Sequence, residues 1–309
     1  MFQLYAWMGL HMVSPEMLAF MLIAGSLVGL VSSYFGVGAC FIMVPVMIYC
    51  FETYMGVSPS LSPLIAFGTN MAVVVPTALS GVLRHRRELA RRGLPFPLEH
   101  YVYFAIPVGV GSFIGALAAF TFYSHYPHSA GIVLKTLFGL FCLFGAYRFM
   151  RARPIPIEEM PSPSLPRYAA SGMLSAIAAH FIGIGGGIIY MPVLNAFLSI
   201  PVHMAVPISL GTMVVGSGVG SISFMCLGLL DQVRHPSLYP PLSLGWFNLI
   251  AFLGIGLSSV VFAQVGPRIA HRTSPQRYKL LLAAVYVYIG VRLVLRGLYQ
   301  LQGLTPPIP

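Results

Sequence analysis

Charged residues are scarce in this 309-residue chain, where Asp, Glu, Lys and Arg together make up 8% of the sequence. A soluble domain carries about 25% charged residues, so this deficit excludes an ordinary soluble protein. Hydrophobic residues reach 57% and the mean hydropathy is +0.84. These values predict an all-α, polytopic helical bundle with about 8–10 transmembrane segments. We expect it in the inner (plasma) membrane, surrounded by the lipid bilayer.

Acidic residues are fewer than basic ones, and they avoid the apolar runs. They are Glu16, Glu52, Glu88, Glu99, Glu158, Glu159 and Asp231. None lies centrally in an apolar segment, so the sequence disfavours a carboxylate proton relay or a carboxylate-lined cation site. An intramembrane enzyme would need paired aspartates or a nucleophile with a base, and neither is evident. We therefore expect no catalytic residues and a small anionic substrate.

Metal and cofactor motifs are also missing. The cysteines all lie in apolar runs without metal-site spacing, and they are Cys40, Cys50, Cys142 and Cys226. We interpret them as small buried hydrophobic residues, and we expect neither a metal nor a cofactor. The sequence contains no P-loop, so ATP-driven transport would need a partner subunit.

The formal net charge of +10 does not indicate a nucleic-acid partner, because of where the basic residues lie. They form short runs at segment ends, within 84–92, 148–167 and 268–279. Charges that determine membrane topology are distributed in this way. The first 15 residues contain no Lys or Arg and so lack the basic region of a signal peptide. We expect the first membrane segment to remain in the mature protein.

Ten apolar segments can be marked along the chain. They run approximately over Met17–Ser33, Gly36–Phe51, Leu61–Leu83, Tyr101–Phe122, Gly131–Met150, Tyr168–Ile182, Gly185–Ile200, Met204–Leu230, Leu242–Val265 and Tyr278–Leu298. The first two and the sixth and seventh are shorter than the ~20 residues that a spanning helix needs. The members of each short pair meet at a glycine cluster, which predicts two broken helices.

The two halves of the chain repeat the same blocks in the same order. FGVGACFIMVP (35–45) corresponds to IGIGGGIIYMP (182–192), and AFGTNM (66–71) corresponds to SLGTMV (209–214). Two further blocks recur in the fourth and fifth segments of each half, again about 145 residues apart. Lys135 and Lys279 occupy equivalent positions, as do Arg148 and Arg292, and we expect these side chains to reach the lipid–water interface.

This repetition predicts transmembrane repeats over 1–153 and 168–309, joined by a cytoplasmic linker at 154–167. Five crossings per half would invert the second repeat, whereas four would leave the two repeats parallel. The distribution of Lys and Arg discriminates little between them. We favour the inverted 5+5 arrangement with broken helices, because it places the basic cluster at 268–279 in the cytoplasm.

The glycine clusters are the strongest candidates for a binding site. Helices that begin near Gly38–Cys40 and Gly186–Ile188 would present unpaired N–H groups and a positive dipole end to an anion. The candidate residues are Gly36, Gly38 and Ala39 in the first cluster, and Gly183, Gly185, Gly186 and Gly187 in the second. The alternative is that glycine only allows helices to pack closely. The duplication, with a matched proline, favours a site.

Other polar residues lie near these clusters. Thr69, Asn70 and the Gly211-Thr212 pair offer uncharged donors to an oxyanion, or they bond only to helix backbone and neighbouring helices. His180 and Asn195 flank the second cluster. A polar residue inside a membrane segment is a functional candidate. A neutral His bonded to a backbone carbonyl is the equally weighted alternative.

The chain resembles the TauE/SafE sulfite exporter family of membrane permeases over about residues 17–298. The resemblance rests on the duplicated glycine element, the Gly-Thr blocks, the basic loop at 84–97 and the glycine-rich fourth segment. Its most specific part is GIGGGIIYMPVL (183–194). Ala39 and Cys40 replace two glycines of the first copy, so we expect the second cluster to dominate ligand contact. Asn70 and Met213 stand where the family usually has Ser.

The resemblance implies a secondary transporter for small sulfur-containing anions, such as sulfite or C2 sulfonates including sulfoacetate. It would work by alternating access, with protons as the candidate coupling ion. Two alternatives stay open: a passive anion channel of the same architecture, and a permease for other small organic anions. The sequence does not indicate the oligomeric state.

Overall fold

Helices make up most of the computed structural model, which describes residues 14–58, 61–126, 130–151 and 156–301. The first half contains α1 (Pro15–Phe35), α2 (Cys40–Thr53), α3 (Ser62–Ala90), α4 (Leu98–His125) and α5 (Ala130–Arg151). A 3-10 turn at Ile157–Glu159 lies in the linker. The predicted boundary between the first repeat and the linker falls outside the described residues, as do the side chains of Lys135 and Arg148 and residues 1–13.

The second half repeats this order of helices with additions. It contains α6 (Leu165–Phe181), α7 (Gly187–Pro192) with a π-helical turn at Val193–Phe197, α8 (Val202–Arg234), α9 (Leu249–Phe262), the short α10 (Gly266–Ala270) and α11 (Pro275–Leu301). A 3-10 turn at Pro236–Leu238 follows α8. An antiparallel hairpin comes next, with β1 (Ser243–Leu244) paired to β2 (Phe247–Asn248).

Local sequence explains where the long helices begin. Ser14 caps α1 by accepting a hydrogen bond from the Met17 amide at 3.1 Å, and Pro15 follows at a position that needs no N–H partner. Asn248 caps α9 in the same way, through the Ala251 amide at 3.0 Å. Both caps satisfy amides that helix geometry leaves without an intrahelical acceptor.

Six helical spans of the described chain are long and apolar enough to cross a membrane. They are α1, α3, α4, α8, α9 together with α10, and α11. Two shorter apolar helices, α2 and α7 with its π-helical turn, lie beside the long ones. The prediction of an all-α, polytopic membrane fold is confirmed, with the small hairpin as its one described exception.

The two halves are interleaved rather than side by side. The first helix of each half packs on the fourth helix of the other, α1 on α9 and α6 on α4. The third helices, α3 and α8, pack together at the centre, and the fifth helices, α5 and α11, form a separate pair. Glycines allow the close contacts, since a Cβ added at Gly29 would lie 2.1 Å from the Ser259 carbonyl oxygen. One added at Gly115 would lie 2.6 Å from the Ile177 carbonyl oxygen.

Three details of the sequence prediction are wrong. The predicted loop at 84–97 begins as helix, because α3 continues to Ala90 and carries an Arg84–Glu88 ion pair at the favourable spacing of four. The ninth apolar segment does not begin as a helix at Leu242, because residues 243–248 form the hairpin. Cys226 is exposed on α8 instead of buried.

Candidate functional site

Both glycine clusters interrupt helices, as predicted. Break 1 (residues 36–39) separates α1 from α2, which begins at Cys40, and break 2 (residues 182–186) separates α6 from α7, which begins at Gly187. Five glycines in these breaks have positive φ angles between 70° and 92°. Glycine adopts this conformation without a steric cost because it has no Cβ atom. Ala39 adopts φ 43° in break 1, where an alanine carries a steric cost that a glycine does not.

The two breaks touch each other at the centre of the bundle. A Cβ added at Gly187 would lie 2.6 Å from the backbone carbon of Val37 and 2.4 Å from the Met213 sulfur of α8. A Cβ added at Gly38 would lie 3.2 Å from the same sulfur and 3.9 Å from the Gly187 nitrogen. The two breaks therefore meet across Met213, and only glycine fits at 187.

Side chains on the two central helices bind three carbonyl groups of the breaks. Asn70 of α3 donates from Nδ2 to the Gly183 carbonyl at 3.2 Å, and Ser217 of α8 donates to the Gly185 carbonyl at 3.0 Å. Ser209 of α8 donates to the Gly36 carbonyl at 2.6 Å. All three side chains are buried. These three carbonyls are therefore held by side chains of α3 and α8 and are not available to a ligand.

Break 2 presents a run of such N–H groups. Gly183 and Ile184 still donate to helix α6, to the carbonyls of His180 and Ala179. In the part of the chain that the structure describes, the four following amides, 185–188, have no hydrogen-bond acceptor. Buried amides of this kind are rarely left unpaired. Consecutive unpaired amides at a helix start are the chemical requirement for an anion site.

Three buried side chains of the predicted site each have an unpaired polar atom. Within the described residues, Asn70 Oδ1, Thr212 Oγ1 and His180 Nε2 have no hydrogen-bond partner. The other ring nitrogen of His180 is 3.0 Å from the Ala176 carbonyl oxygen, which orients the ring. Its Nε2 side faces α8, where a Cβ at Gly220 would lie 3.0 Å from that atom. Buried polar atoms without partners mark places where a ligand or water binds.

Three predicted site residues point elsewhere. Thr69 accepts a hydrogen bond from the Asn248 amide at 2.9 Å and so anchors the hairpin. Gly211 faces the Tyr101 ring, 2.8 Å from an added Cβ. Asn195 donates from its π-helical turn to the Ile200 carbonyl, just beyond that turn, at 2.7 Å, and its Oδ1 has no partner among the described residues.

The role of Thr69 gives a stability prediction. Thr69→Val keeps the shape of the side chain but leaves the buried Asn248 amide without its acceptor. We expect a loss of about 1–3 kcal/mol of stability, read as a lower melting temperature of the purified protein. Thr121→Val is the control, because that hydroxyl is exposed and donates to the Leu117 carbonyl of its own helix. Equal melting temperatures for the two variants would contradict this assignment.

A cavity of about 400 Å³ lies between α2 and α11 and reaches break 2 at Ile182 and Ile184. One row of α2 lines it, formed by Cys40, Val44, Ile48 and Glu52. With a rise of 1.5 Å per residue, this row covers about 18 Å. Cys40 at the start of α2 and Ile184 of break 2 are buried, whereas Glu52 is exposed, so the cavity leads from the exposed end of α2 to break 2. We call it the vestibule.

Sequence reasoning missed a buried histidine cluster that joins the halves. His85 Nδ1 of α3 is 3.0 Å from His271 Nε2, and His85 Nε2 is 2.8 Å from the Ser33 carbonyl oxygen. The His203 ring stacks on His271 with centroids 5.6 Å apart, and Arg92 donates to the His271 carbonyl. Across the described residues, no three His, Cys, Asp or Glu side chains are placed to hold a metal ion.

The histidine cluster predicts acid sensitivity. His271 lies outside the spanning helices, and burial, followed by the nearby His203 and Arg92, lowers its pKa from 6.5 to about 4, against a small opposite effect of Glu88. Between these values the unfolded chain binds a proton that the folded protein does not, so stability falls as the pH drops from about 6.5 to about 4.

The measurement is the melting temperature as a function of pH. We expect it to fall across this window in the wild type and to fall less in His271→Gln. His235→Gln serves as the control, because His235 is exposed and pairs with Asp231 at the surface. A fall that is equally steep in wild type and His271→Gln would show that another group titrates.

Residues 21–293 match the family described as sulfite exporter TauE/SafE. The chain is 24% identical over 280 residues to a probable membrane transporter protein of Methanocaldococcus jannaschii, covering 90% of this chain and 96% of the relative. It is 24% identical over 301 residues to a probable membrane transporter protein of Bacillus subtilis, covering 91% and 98%. No solved structure matches significantly.

Proposed function

The chain belongs to the sulfite exporter TauE/SafE family and is a multi-pass membrane transporter, and from this premise we propose that it moves small sulfur-containing anions, sulfite or C2 sulfonates such as sulfoacetate. Transport would be secondary and would proceed by alternating access in the inner (plasma) membrane. The relatives carry transporter names and no named substrate, so the substrate is inferred from the site and from the family description.

One observation carries the choice of an anion. Break 2 presents four consecutive amides without acceptors among the described residues, and the buried hydroxyl of Thr212 on α8 is a further donor without a partner there. Backbone N–H groups and a hydroxyl donate to the oxygens of a sulfite or sulfonate group without holding a fixed full charge. A site of neutral donors binds an anion and still releases it, as a transporter requires.

The arrangement of the helices supports alternating access between inverted repeats. Each repeat contributes a broken helix pair, and the packing of α1 on α9 is matched by that of α6 on α4. In such transporters one repeat moves against the other around a site at their interface. Gly38 and Gly187 lie at that interface here. His180, whose Nε2 has no partner among the described residues, is the candidate group for proton coupling.

A carrier is favoured over a passive channel because the centre is closed. Gly187 contacts the Val37 backbone and Met213 fills the remaining space, so the two breaks form a constriction without room for an added methyl group. An open channel would need these groups to be apart. A carrier needs them to separate only during the transport cycle.

The proposal is tested by a ligand screen on the purified protein. We expect sulfite, sulfoacetate and related sulfonates to raise the melting temperature in a saturable manner, because a ligand that binds only the folded state stabilises it. Sulfate and simple carboxylates at equal concentration and ionic strength are the comparison. A melting temperature that ignores every anion, together with no saturable anion flux in liposomes, would refute the proposal.

A further inference from the structure

Helix α7 contains a proline that leaves one backbone carbonyl without its usual donor. In an α-helix the carbonyl of Ile188 would accept a hydrogen bond from the amide of residue 192, but Pro192 has no N–H. The next amide, that of Val193, donates to the carbonyls of Ile189 and Tyr190 instead. Ile188 is fully buried, and a buried carbonyl needs a hydrogen-bond partner. Its donor therefore has to come from outside α7.

Tyr286 of α11 supplies this donor. Its side chain is fully buried, and its hydroxyl donates to the Ile188 carbonyl. Ile188 is the second residue of α7, and its amide is the last of the four amides, 185–188, that have no acceptor among the described residues. By holding the Ile188 carbonyl, Tyr286 fixes the orientation of the first turn of α7 and of the amides that open it.

Tyr278 makes a corresponding bond at break 1. Its buried hydroxyl donates to the Tyr34 carbonyl at 2.7 Å. Tyr34 lies in the last turn of α1, which ends where Gly36 adopts a left-handed conformation, and carbonyls in a last turn lack intrahelical donors. Tyr278 and Tyr286 are about 12 Å apart along α11, at a rise of 1.5 Å per residue. One helix thus holds the chain beside both breaks, each time through a tyrosine hydroxyl.

These two bonds are important because α11 otherwise packs mainly on α5. The two helices approach closely, since a Cβ added at Gly139 of α5 would lie 2.9 Å from the Gly290 carbonyl oxygen of α11. Towards α2, α11 faces the vestibule of about 400 Å³ instead of a packed helix. The α5–α11 pair therefore has room to shift as a unit, and such a shift would displace the two carbonyl groups that the tyrosines hold.

The tyrosine pair is a feature of the second repeat alone. At the spacing that relates the fifth helices of the two repeats, Tyr278 and Tyr286 correspond to Leu134 and Cys142 of α5. Pro45 removes an amide donor from α2 in the same way as the proline of α7, yet a leucine has no side-chain donor and a thiol is a weak one. Of the two fifth helices, α11 is therefore the one with side chains suited to hold both breaks.

We propose that Tyr286 is a positioning residue for the anion site, and that α11 moves both breaks together during transport through Tyr286 and Tyr278. This inference rests on the proposed function and identifies the element that controls its site. Tyr286 does not touch the anion. It holds the Ile188 carbonyl, so that the amides 185–188 keep one orientation. Tyr278 ties the end of α1 to the same helix, so a displacement of α11 reaches break 1 and break 2 at once.

Tyr286→Phe and Tyr278→Phe are a matched pair, because each removes one hydroxyl from α11 and leaves one buried carbonyl without that donor. The dissociation constant for sulfoacetate is read from the concentration dependence of the melting temperature of the purified full-length protein. Both variants should lower the melting temperature without ligand to a similar extent. We expect Tyr286→Phe to raise the dissociation constant at least about tenfold, and Tyr278→Phe less than about threefold, because only Tyr286 pre-organises the amides of break 2. Equal constants in the two variants would overturn the positioning role.

A rescue variant separates the positioning of the amides from the movement of α11. Pro192→Ala restores an N–H four residues after Ile188, where helix geometry directs it to the Ile188 carbonyl. In Tyr286→Phe/Pro192→Ala we expect the dissociation constant for sulfoacetate to return to within about threefold of wild type. Its maximal flux in proteoliposomes should stay below about a third of wild type, because α11 is still detached from break 2. Binding that is not rescued would overturn the positioning role, and wild-type flux would overturn the role of α11.

The double variant Tyr278→Phe/Tyr286→Phe tests whether the two breaks move together. If α11 moves both, losing either bond uncouples them, so the double variant should have the same maximal flux as the slower single variant. Effects that multiply would mean that the two tyrosines act independently, which contradicts the proposal. If Tyr286→Phe does not elute as a single folded species, Tyr286→Phe/Pro192→Ala takes its place in the flux test. Saturable sulfoacetate flux that is equal in wild type and all variants removes only this inference, whereas no saturable anion flux in wild type removes the proposed function.

Discussion

Replacing Gly187 by Val is expected to abolish anion transport. The first carbon of the new side chain would lie 2.6 Å from the Val37 backbone carbon and 2.4 Å from the Met213 sulfur. Methionine can move, but the Val37 backbone moves only if the two breaks separate. We expect the flux in proteoliposomes to fall below about a tenth of the wild-type flux. A tenfold fall corresponds to an increase of ~1.4 kcal/mol in the free-energy barrier to transport. Overpacking of this kind also costs about 1–3 kcal/mol of stability.

A matched control is available on α8. A Cβ added at Gly218 meets nothing within 4 Å, so Gly218→Val adds the same atoms in open space and should keep most of the flux. Ala39→Gly tests the other break, because it removes the strain of φ 43° without adding volume. It should retain flux. If Gly187→Val transports normally while Ala39→Gly does not, the site lies on the first repeat.

Introducing a negative charge at Asn70 is the second change with a large expected effect. Asn70→Asp is nearly isosteric, removes the hydrogen bond to the Gly183 carbonyl, and places a carboxylate beside break 2. Two like charges 4 Å apart repel by about 4 kcal/mol at an effective dielectric constant near 20. We therefore expect anion flux at neutral pH to fall by roughly a hundredfold or more.

Asn70→Leu is the control that separates charge from the lost hydrogen bond. It leaves the Gly183 carbonyl unpaired, which costs about 1–3 kcal/mol of folding stability, but it adds no charge. It should impair transport less than Asn70→Asp. Lowering the pH should restore part of the flux of Asn70→Asp, because protonation neutralises the carboxylate, and should not restore that of Asn70→Leu. Identical pH profiles for the two variants would contradict an anion site at break 2.

Sequence patterns predicted the breaks because their physical cause is local. Glycine runs between short apolar segments interrupt a helix whatever surrounds them, and α2 and α7 begin at Cys40 and Gly187, within the predicted intervals. Helix ends that depend on neighbours were less predictable. The basic residues after Leu83 resemble a loop, yet they continue α3 because Arg84 pairs with Glu88 and His85 reaches His271.

The polar residues of the site were only partly predictable for the same reason. Asn70 stood out as an amide inside an apolar run, and it does contact break 2. Ser209 and Ser217 give no such signal, since serine is common in membrane helices, and only the packing of α8 against both breaks reveals their role. Thr69 was predicted as a ligand donor, but its hydroxyl accepts a hydrogen bond from the Asn248 amide of the hairpin. That hairpin lies far along the chain, and no sequence pattern around Thr69 indicates it.

The vestibule depended entirely on tertiary structure. Its walls come from α2 and α11, which lie at opposite ends of the chain, and Arg292 has the sequence context of an interfacial residue. The interleaving of the halves brings such distant segments together. Repeats predicted from sequence indicate which segments are equivalent, but not which ones line a common cavity.

Counterflow in proteoliposomes tests the central claim most directly. Vesicles loaded with unlabelled sulfoacetate are diluted into labelled sulfoacetate, with Gly187→Val and empty vesicles beside the wild type. We predict transient, saturable accumulation of label in wild-type vesicles alone, since a carrier exchanges its substrate across one alternately exposed site. Uptake that does not saturate and is driven by voltage alone, or equal uptake in wild type and Gly187→Val, would contradict an anion carrier built around break 2.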